Sequence, residues 1–559
     1  MHFTHDPNAD FYYMGEEEPS KELYRSCFVN SKPSVVGIDV ETISLKERIA
    51  IGVSIALKPK LCFYFQLFPE VSPAVPWSVL KDPTITKVIH NAPFDLSALR
   101  EYEVDNTNII DSSIIARLLC FRFADLLSMG VAHQMEVHDM KEILEEHKAK
   151  TCLEVPQSVM ARKCMQDSGA CLKLYEVLYP KVDKDYLAVE MQTIPIMIEM
   201  SNIGLAIDQE MRAEVEEQLD DNANYYAGLC ENIGFKPSSP QQVSWTLANR
   251  GAYSIFTRLP FTRGKYGRRT SNLSSSRATL EKMDDPLASI VLKWRDNSYL
   301  LSHYIRPWSH DDRAYTRFHL DAITGRPSST DRNMQNIPGK KLMNERGVPN
   351  CRNILIPDSG VWTDVDWSQL ELRLLAYLSQ DREMLHIYET GGDIHQTTAD
   401  FLGIPRAFAK NVNFALVYGA TDETLMETAH IRSIERARQL RQNIFQLFSG
   451  VGDWIDAQHH QSTITHRART IFGRDIRLPT EDEERVDGIH RKAVNYPIQG
   501  SAAEILKRGL IACKHLPMYL QVHDEILCDG FIPDYTFKVL EDIAPIHTPV
   551  EVKYLTRWE

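Results

Sequence analysis

No stretch of this 559-residue chain comes near the roughly 18 to 20 consecutive apolar residues that a membrane span needs. The opening, "MHFTHDPNADFYYMGEEEPS", lacks the basic-then-apolar order of a signal peptide and the arginine-rich character of a transit peptide. The ten cysteines include no C-x-x-C pair. Scattered thiols in a chain of this size argue against a disulfide framework or structural zinc, and for a reducing cytoplasm. Repeats and low-complexity tracts are missing too. What remains is an ordinary globular composition, 43% hydrophobic and 25% charged. The chain is too long for one core, so several domains are expected.

The formal net charge is −14, which by itself speaks against a nucleic-acid partner. Acids clustered at metal sites can leave a separate basic surface for phosphate, however. From Arg250 to Arg277 there is no Asp or Glu, while Arg258, Arg263, Lys265, Arg268 and Arg269 fall between those two arginines. The glycines and hydroxyls of "TRGKYGRRTSNLSSSR" suit a loop that contacts phosphate.

The acids themselves are patterned. In "SVVGIDVETISL", Asp39 and Glu41 lie two apart on a β-branched run, hence on one face of a strand. Paired carboxylates there are natural ligands for hard divalent cations. In "KVIHNAPFDLSALR", Asn91 and Asp95 share a helix face, and "MARKCMQDSGACLKLYEVL" places Asp167 on a later helix. Taken singly, each acid reads as a cap or surface residue; in this order they can converge on one metal cluster. A second acid pair, Asp524 and Glu525, sits in the strand-like "MYLQVHDEILCDG". Adjacent buried carboxylates repel each other and need compensating charge. In "RAFAKNVNFALVYG", Arg406, Lys410, Phe414 and Tyr418 recur every four residues and form a slanting helical stripe. Cations followed by aromatics suit a triphosphate at one end and a base at the other.

The segments "DVET", "HNAPFDLSAL" and "QDSGACLKLY" resemble the three motifs of DnaQ-like 3′–5′ exonucleases. Behind them come "TGRPSSTDRNMQNIP", "DVDWSQLELRLLAYLS", "RAFAKNVNFALVYG", "HRKAVNYPIQGSAAEILK" and "QVHDE". In order and spacing these resemble the polymerase domain of family A, polymerase I-like, DNA polymerases. The resemblance implies an α/β exonuclease domain, RNase H-like with a mixed sheet and helices, followed by an α+β right-hand polymerase domain. The expected layout is an N-terminal lead 1–33, exonuclease 34–185, thumb 186–312, palm 313–375 and 491–559, and mainly helical fingers 376–490. With the first exonuclease motif at Asp39, the family's 5′-nuclease domain has no room. That layout resembles a phage replicative polymerase, with a truncated cellular relative as the alternative.

By the same resemblance, Asp366, at the end of the apolar "GVWTDVDW", and Asp524 are the metal-bridging carboxylates, with Glu525 beside them. Asp524 is expected to feel Asp366 and Glu525 as like charges until metal binds. Lys410 joins the catalytic set. Arg406, Lys410, Phe414, Tyr418, Gln369 and His395 form the nucleotide-binding set, and Glu371 is the steric gate that excludes a 2′-hydroxyl. Arg326, Gln335, Asn336, Arg491, Asn495, Gln499 and His523 are placed on DNA; such side chains in a minor groove test pair shape without reading sequence. Asp39, Glu41, Asp95 and Asp167 are the exonuclease ligands. Two Mg²⁺ ions per active site are implied, with Mn²⁺ as a substitute. The implied partners are primer–template DNA, deoxynucleoside triphosphates and single-stranded 3′ ends. A monomer free of membranes is expected, in the cytoplasm of a host if the chain is phage-encoded.

Two positions depart from the family. Lys163 stands where the third exonuclease motif usually has Tyr, and a protonated lysine can donate but not accept a hydrogen bond. Trp367 replaces the usual Tyr of "DYSQ". The leading function is proofreading DNA synthesis in replication. The alternatives are a polymerase with an impaired exonuclease, and a non-catalytic primer–template-binding protein.

Overall fold

The computed structural model describes all residues except 1, 7–10, 16–20, 31, 45–47, 252–260, 264–268, 284, 418, 420, 429–430 and 432. The N-terminal third is built on a seven-stranded sheet. Its strands lie in the order His2–Asp6, Phe11–Gly15, Leu61–Gln66, Ala50–Lys58, Val35–Thr42, Thr86–Ile89, Ile109–Asp111. Val35–Thr42 runs antiparallel to Ala50–Lys58 and parallel to Thr86–Ile89, so the sheet is mixed. Residues 1–33, expected as a separate lead, instead add two strands at one edge of the sheet. The reason is apolar: Phe11 and Tyr13 are buried against Phe63 of the next strand.

The helix Gln157–Leu178 lies directly on this sheet. Close approach depends on Gly37, where a Cβ would stand 2.3 Å from the Ser168 carbonyl oxygen. Ser54 and Ser168 hydroxyls meet at 2.8 Å across the same contact. That packing carries Lys163 and Asp167 to the end of the strand Val35–Thr42.

The helix Lys184–Ile203, capped by Asp183, leads out of this unit and packs on the 27-residue helix Val486–Ala512. Between the two, the buried Lys507 Nζ donates to both oxygens of Glu190, at 2.7 and 2.6 Å. Next to it Arg474 pairs with Glu504 and donates to the Thr324 carbonyl at 2.6 Å. Buried charges of this kind must be paired, and these are.

The C-terminal half is built around a four-stranded antiparallel sheet, ordered Met518–Val522, Glu525–Asp529, Trp362–Trp367, Val550–Leu555. The register sets Asp366 opposite both Glu525 and Glu551. Trp367 points to the other face and is buried over Gly509, where a Cβ would come within 2.8 Å of the indole. The larger ring thus packs behind the acids. Gln209–Glu231 packs along Pro286–Leu300, and the region between them holds the basic stretch. There Arg250 pairs with Asp285, and Arg277 with Glu281 and Asp296. Arg258, Lys265 and Arg268 lie outside the described residues, and Arg263 and Arg269 are placed only as backbone of the paired strands Phe261–Arg263 and Arg269–Leu273. Among the described residues, no helix is long and apolar enough to cross a membrane.

Candidate active sites

At the first site, Asp39 and Glu41 project from the end of Val35–Thr42. Asp95 comes from the short helix Ala92–Ala98, its Oδ1 accepting a hydrogen bond from the Val40 N–H at 2.9 Å. Asp111 sets that helix in place. It is buried and accepts from the Asn91 and Ala92 N–H groups at 3.2 and 2.7 Å, while its Oδ1 also caps the helix Ser112–Leu118. Asn91 itself is the left-handed N-cap, with φ of 68°. Asp39, Glu41, Asn91, Phe94, Asp95 and Lys163 line a pocket of about 680 Å³.

Lys163 is inside the acid cluster. Its Nζ donates to Glu41 Oε1 at 2.8 Å and to Asp167 Oδ2 at 2.6 Å. Asp39 Oδ2 and Asp167 Oδ1 are buried and have no hydrogen-bond partner. Burial holds the Asp39 carboxyl well above its ordinary range, with Asp167 adding to the effect and Lys163 opposing it. Burial also raises Glu41, against the pull of Lys163, and raises Asp95, against the Val40 hydrogen bond. Burial disfavours the Lys163 charge, but Asp167, Glu41 and Asp39 outweigh it and hold the ammonium well above the usual lysine range. Cys164 Sγ lies with oxygens of Asp39 and Glu41 inside a 4.8 Å cluster. Burial and those acids keep its thiol protonated, so it is a poor metal ligand. Unpaired carboxylate oxygens, Asp39's on a residue that lines the pocket, suit a hard divalent cation.

The second site gathers residues from five segments. Asp524 sits in the turn between Met518–Val522 and Glu525–Asp529, where His523 is left-handed with φ of 58°. The Trp367 N–H donates to the Asp524 carbonyl at 3.2 Å, tying that turn to the strand end that carries Asp366. Arg326, Glu371, Phe414, Gln499, His523 and Asp524 line a pocket of about 350 Å³. Asp366 is pushed up to about 7 by burial, then by Asp524 and Glu525. Burial raises Asp524 as well, with Arg326 opposing. Asp524 is thus a like-charge neighbour of both Asp366 and Glu525, as expected. Glu525 is already engaged: it accepts from Trp558 Nε1 at 2.7 Å and lies 3.6 Å from Arg352.

The remaining expected residues divide between poised and engaged. Glu371 is raised by burial, with Arg326 opposing. Gln369 is the left-handed N-cap of the helix Leu370–Ser379 and accepts from the Tyr388 hydroxyl at 3.3 Å. Arg406 pairs with Asp393 at 2.7 Å, and Asp393 caps the helix that bears His395. Lys410 Nζ stands 5.7 Å from the Phe414 ring centre, and His395 packs 6.2 Å from the same ring. Tyr418 lies outside the described residues. Gln335 donates to Gln521 Oε1 at 2.9 Å, and Asn336 ends the same short turn, Met334–Asn336. Arg491, Asn495 and Gln499 ride on Val486–Ala512; Asn495 Nδ2 is buried without a partner, and the Arg491 backbone abuts Gly419. His523 is pushed down to about 4 by burial, Arg326 and Arg352, so it is neutral.

Four residues of these sites escaped sequence reasoning. Asp364 lies two before Asp366, on the same face, and is pushed up to about 8 by burial, Glu525 and Asp366. That spacing was readable. Asp111, Arg352 and Trp558 act through contacts that no local pattern announces.

Two acid clusters, each on the end of a buried strand and each beside a pocket, mark a protein with two candidate metal sites. The profile described as DNA polymerase family A matches residues 206–537, and that described as 3′–5′ exonuclease matches residues 18–183. The chain belongs to DNA polymerase family A and carries a 3′–5′ exonuclease domain. It is 27% identical to DNA polymerase I of Chloroflexus aurantiacus over 548 residues, which is 88% of this chain and 57% of that protein. To the thermostable DNA polymerase I of Thermus aquaticus it is 32% identical over 321 residues, 51% of this chain and 38% of that one. The chain thus spans about half the length of the relatives it matches. The structure of the POL domain of Pol1 from M. smegmatis, in complex with DNA primer-template and dNTP, superposes with a TM-score of 0.76. The identity there is 25%, covering 97% of this chain and 99% of that one.

Proposed function

We propose that this chain synthesises DNA on a primer–template by phosphoryl transfer from deoxynucleoside triphosphates, and trims 3′ ends in its exonuclease half, in the service of replication. The observation that carries the reading is the meeting of Asp366 and Asp524 beside a pocket lined by Arg326, Glu371 and Phe414. The raised Asp366 carboxyl, beside Asp524 and free of any paired cation, fits a divalent-ion site. When bound there, two Mg²⁺ ions supply charge neutralisation for the triphosphate and lower the cost of ionising the primer hydroxyl.

The protein groups do the rest. Arg406 and Lys410 offer cations to phosphate, Phe414 offers a stacking face, and Glu371 fills the space where a 2′-hydroxyl would lie. Glu525, held by Trp558 and Arg352, buttresses the strand pair and adds charge from behind. Arg326, Gln335, Asn336, Arg491, Asn495, Gln499 and neutral His523 border the path proposed for the primer terminus. Thumb 186–312, fingers 376–490 and a palm of 313–375 with 491–559 remain the domain assignment.

Extension of a labelled primer with Mg²⁺ and all four deoxynucleotides, followed by their withdrawal, tests both halves. The expected outcome is lengthening and then 3′ shortening. Tight primer–template binding with no lengthening would instead favour the non-catalytic alternative.

A further inference from the structure

We propose that Lys163 is a built-in cation of the exonuclease site, so that its four acids take one divalent ion where four acids alone would take two. The inference rests on the exonuclease reading above. Lys163 Nζ is 2.8 Å from Glu41 Oε1 and 2.6 Å from Asp167 Oδ2. These are direct charge-assisted hydrogen bonds. The lone pairs they use are the ones an ion lying between Glu41 and Asp167 would need. The lysine side chain is only 11% exposed, and those of Glu41 and Asp167 are 7% and 6% exposed, so little water screens the pairs. One helical turn separates Lys163 from Asp167, which holds the ammonium at this position without an extended reach.

The other oxygens are disposed differently. Asp95 Oδ1 is spent on the Val40 N–H, while Asp39 Oδ2 and Asp167 Oδ1 are buried and unpartnered. Asp39, which carries one of the two orphan oxygens, lines the pocket together with Asp95, and this leaves carboxylate oxygen there for one hard cation. Charge balance agrees. Two divalent ions neutralise four carboxylates; with an ammonium already inside, a second ion would leave the cluster net positive before any phosphate arrives. A tyrosine in place of Lys163 brings no charge and leaves both ion positions open.

The test counts ions. The full-length chain carrying Asp366→Asn and Asp524→Asn, which removes the other acid cluster, is titrated with Mn²⁺. Free ion is read by electron paramagnetic resonance. A single-stranded oligonucleotide with a 3′-terminal phosphorothioate linkage is present throughout. The count is taken relative to the same chain with Asp39→Ala and Glu41→Ala. The expected difference is one Mn²⁺ with Lys163 in place and two with Lys163→Gln. Lys163→Met, neutral and of similar length, is the second variant, and unchanged primer–template affinity reports that each variant is folded. A difference of two with Lys163 present overturns the inference, as does a difference still of one in both Lys163 variants. No difference at all, with or without Lys163, overturns the exonuclease reading and the inference with it.

Discussion

At Asp39 the problem of buried negative charge is met from inside the protein: Lys163 reaches in from the neighbouring helix and pairs with Glu41 and Asp167. At Asp366 it is not. Arg326, Arg352 and Lys553 moderate the field there, yet Asp366 remains pushed up to about 7 and Asp364 to about 8. One site holds a resident cation before any ligand arrives, although burial still keeps Asp39 well above its ordinary range. The other keeps charge that only a ligand can compensate. A site whose ligand brings four negative charges, as a triphosphate does, has reason to leave its acids open to metal, because the ions must serve both. A site for a single phosphodiester has less charge to manage, and there a resident ammonium is tolerable.

The largest expected effect breaks the open site. Asp524→Asn removes one carboxylate from the pair proposed to meet the reacting phosphate. It should cut the extension rate by about three orders of magnitude or more while primer–template affinity changes little, because the lost stabilisation belongs to the transition state. Single-turnover extension and a fluorescence-anisotropy binding curve measure the two separately. Near-parental extension would remove Asp524 from the chemistry.

The closed site should break differently. Lys163→Ala leaves Glu41 and Asp167 buried without their cation, and breaking a buried pair costs roughly 3–5 kcal/mol. A lowered melting transition in EDTA is expected, with most of the loss restored by Mg²⁺, which can stand where the ammonium stood. A loss that Mg²⁺ does not touch would mean that Lys163 acts through packing alone.

A smaller effect sharpens the assignment of the open pocket. Glu371→Ala should make room beside the sugar and lower discrimination against ribonucleotides by about 10- to 100-fold, the range for losing a small steric contact. Competition between ribo- and deoxynucleotides opposite one template base gives the ratio. An unchanged ratio rejects the steric gate.

The last expected effect is a pH dependence. Asp366 has a folded-state value near 7, above the ordinary carboxylate value near 4. Its raised value means that its contribution to stability is complete below the unfolded value and is lost as the pH rises to the folded one. In EDTA, Asp366→Asn should therefore become progressively more stable than the parent between about pH 4 and 7 and hold a constant advantage above that. Added Mg²⁺ should shrink the difference by binding the ionised parent. Urea midpoints across that range measure it; a flat difference would mean that Asp366 is not under strain.

Much of this architecture was legible because it is written in short-range pattern. The period-two spacing of Asp39 and Glu41 marks one strand face, and the period-four stripe from Arg406 marks one helix face. Motif order then identified the family and implied the mixed sheet and the palm. The strands before residue 16 are not marked in the sequence, because strands near an edge with mixed polar and aromatic residues carry a weak signal and their place is decided by the aromatic layer they cover. Arg250 and Arg277 read as free basic charge because Asp285 and Asp296, which pair with them, lie outside that acid-free stretch.

Sequence alone pointed to two acid clusters and to most of the acids in them, Asp364 excepted, and placed a lysine four residues before one of those acids. Only the tertiary structure decided that the lysine points in, that Glu525 is held by Trp558 and Arg352, and that burial raises both Asp366 and Asp524. The reason is physical. A lysine stem is long enough to reach solvent or a neighbouring acid from the same backbone position, and local spacing is identical in both cases. Which outcome holds depends on the close packing of Gly37 against Ser168, which brings the helix of Lys163 and Asp167 onto the strand of Asp39 and Glu41.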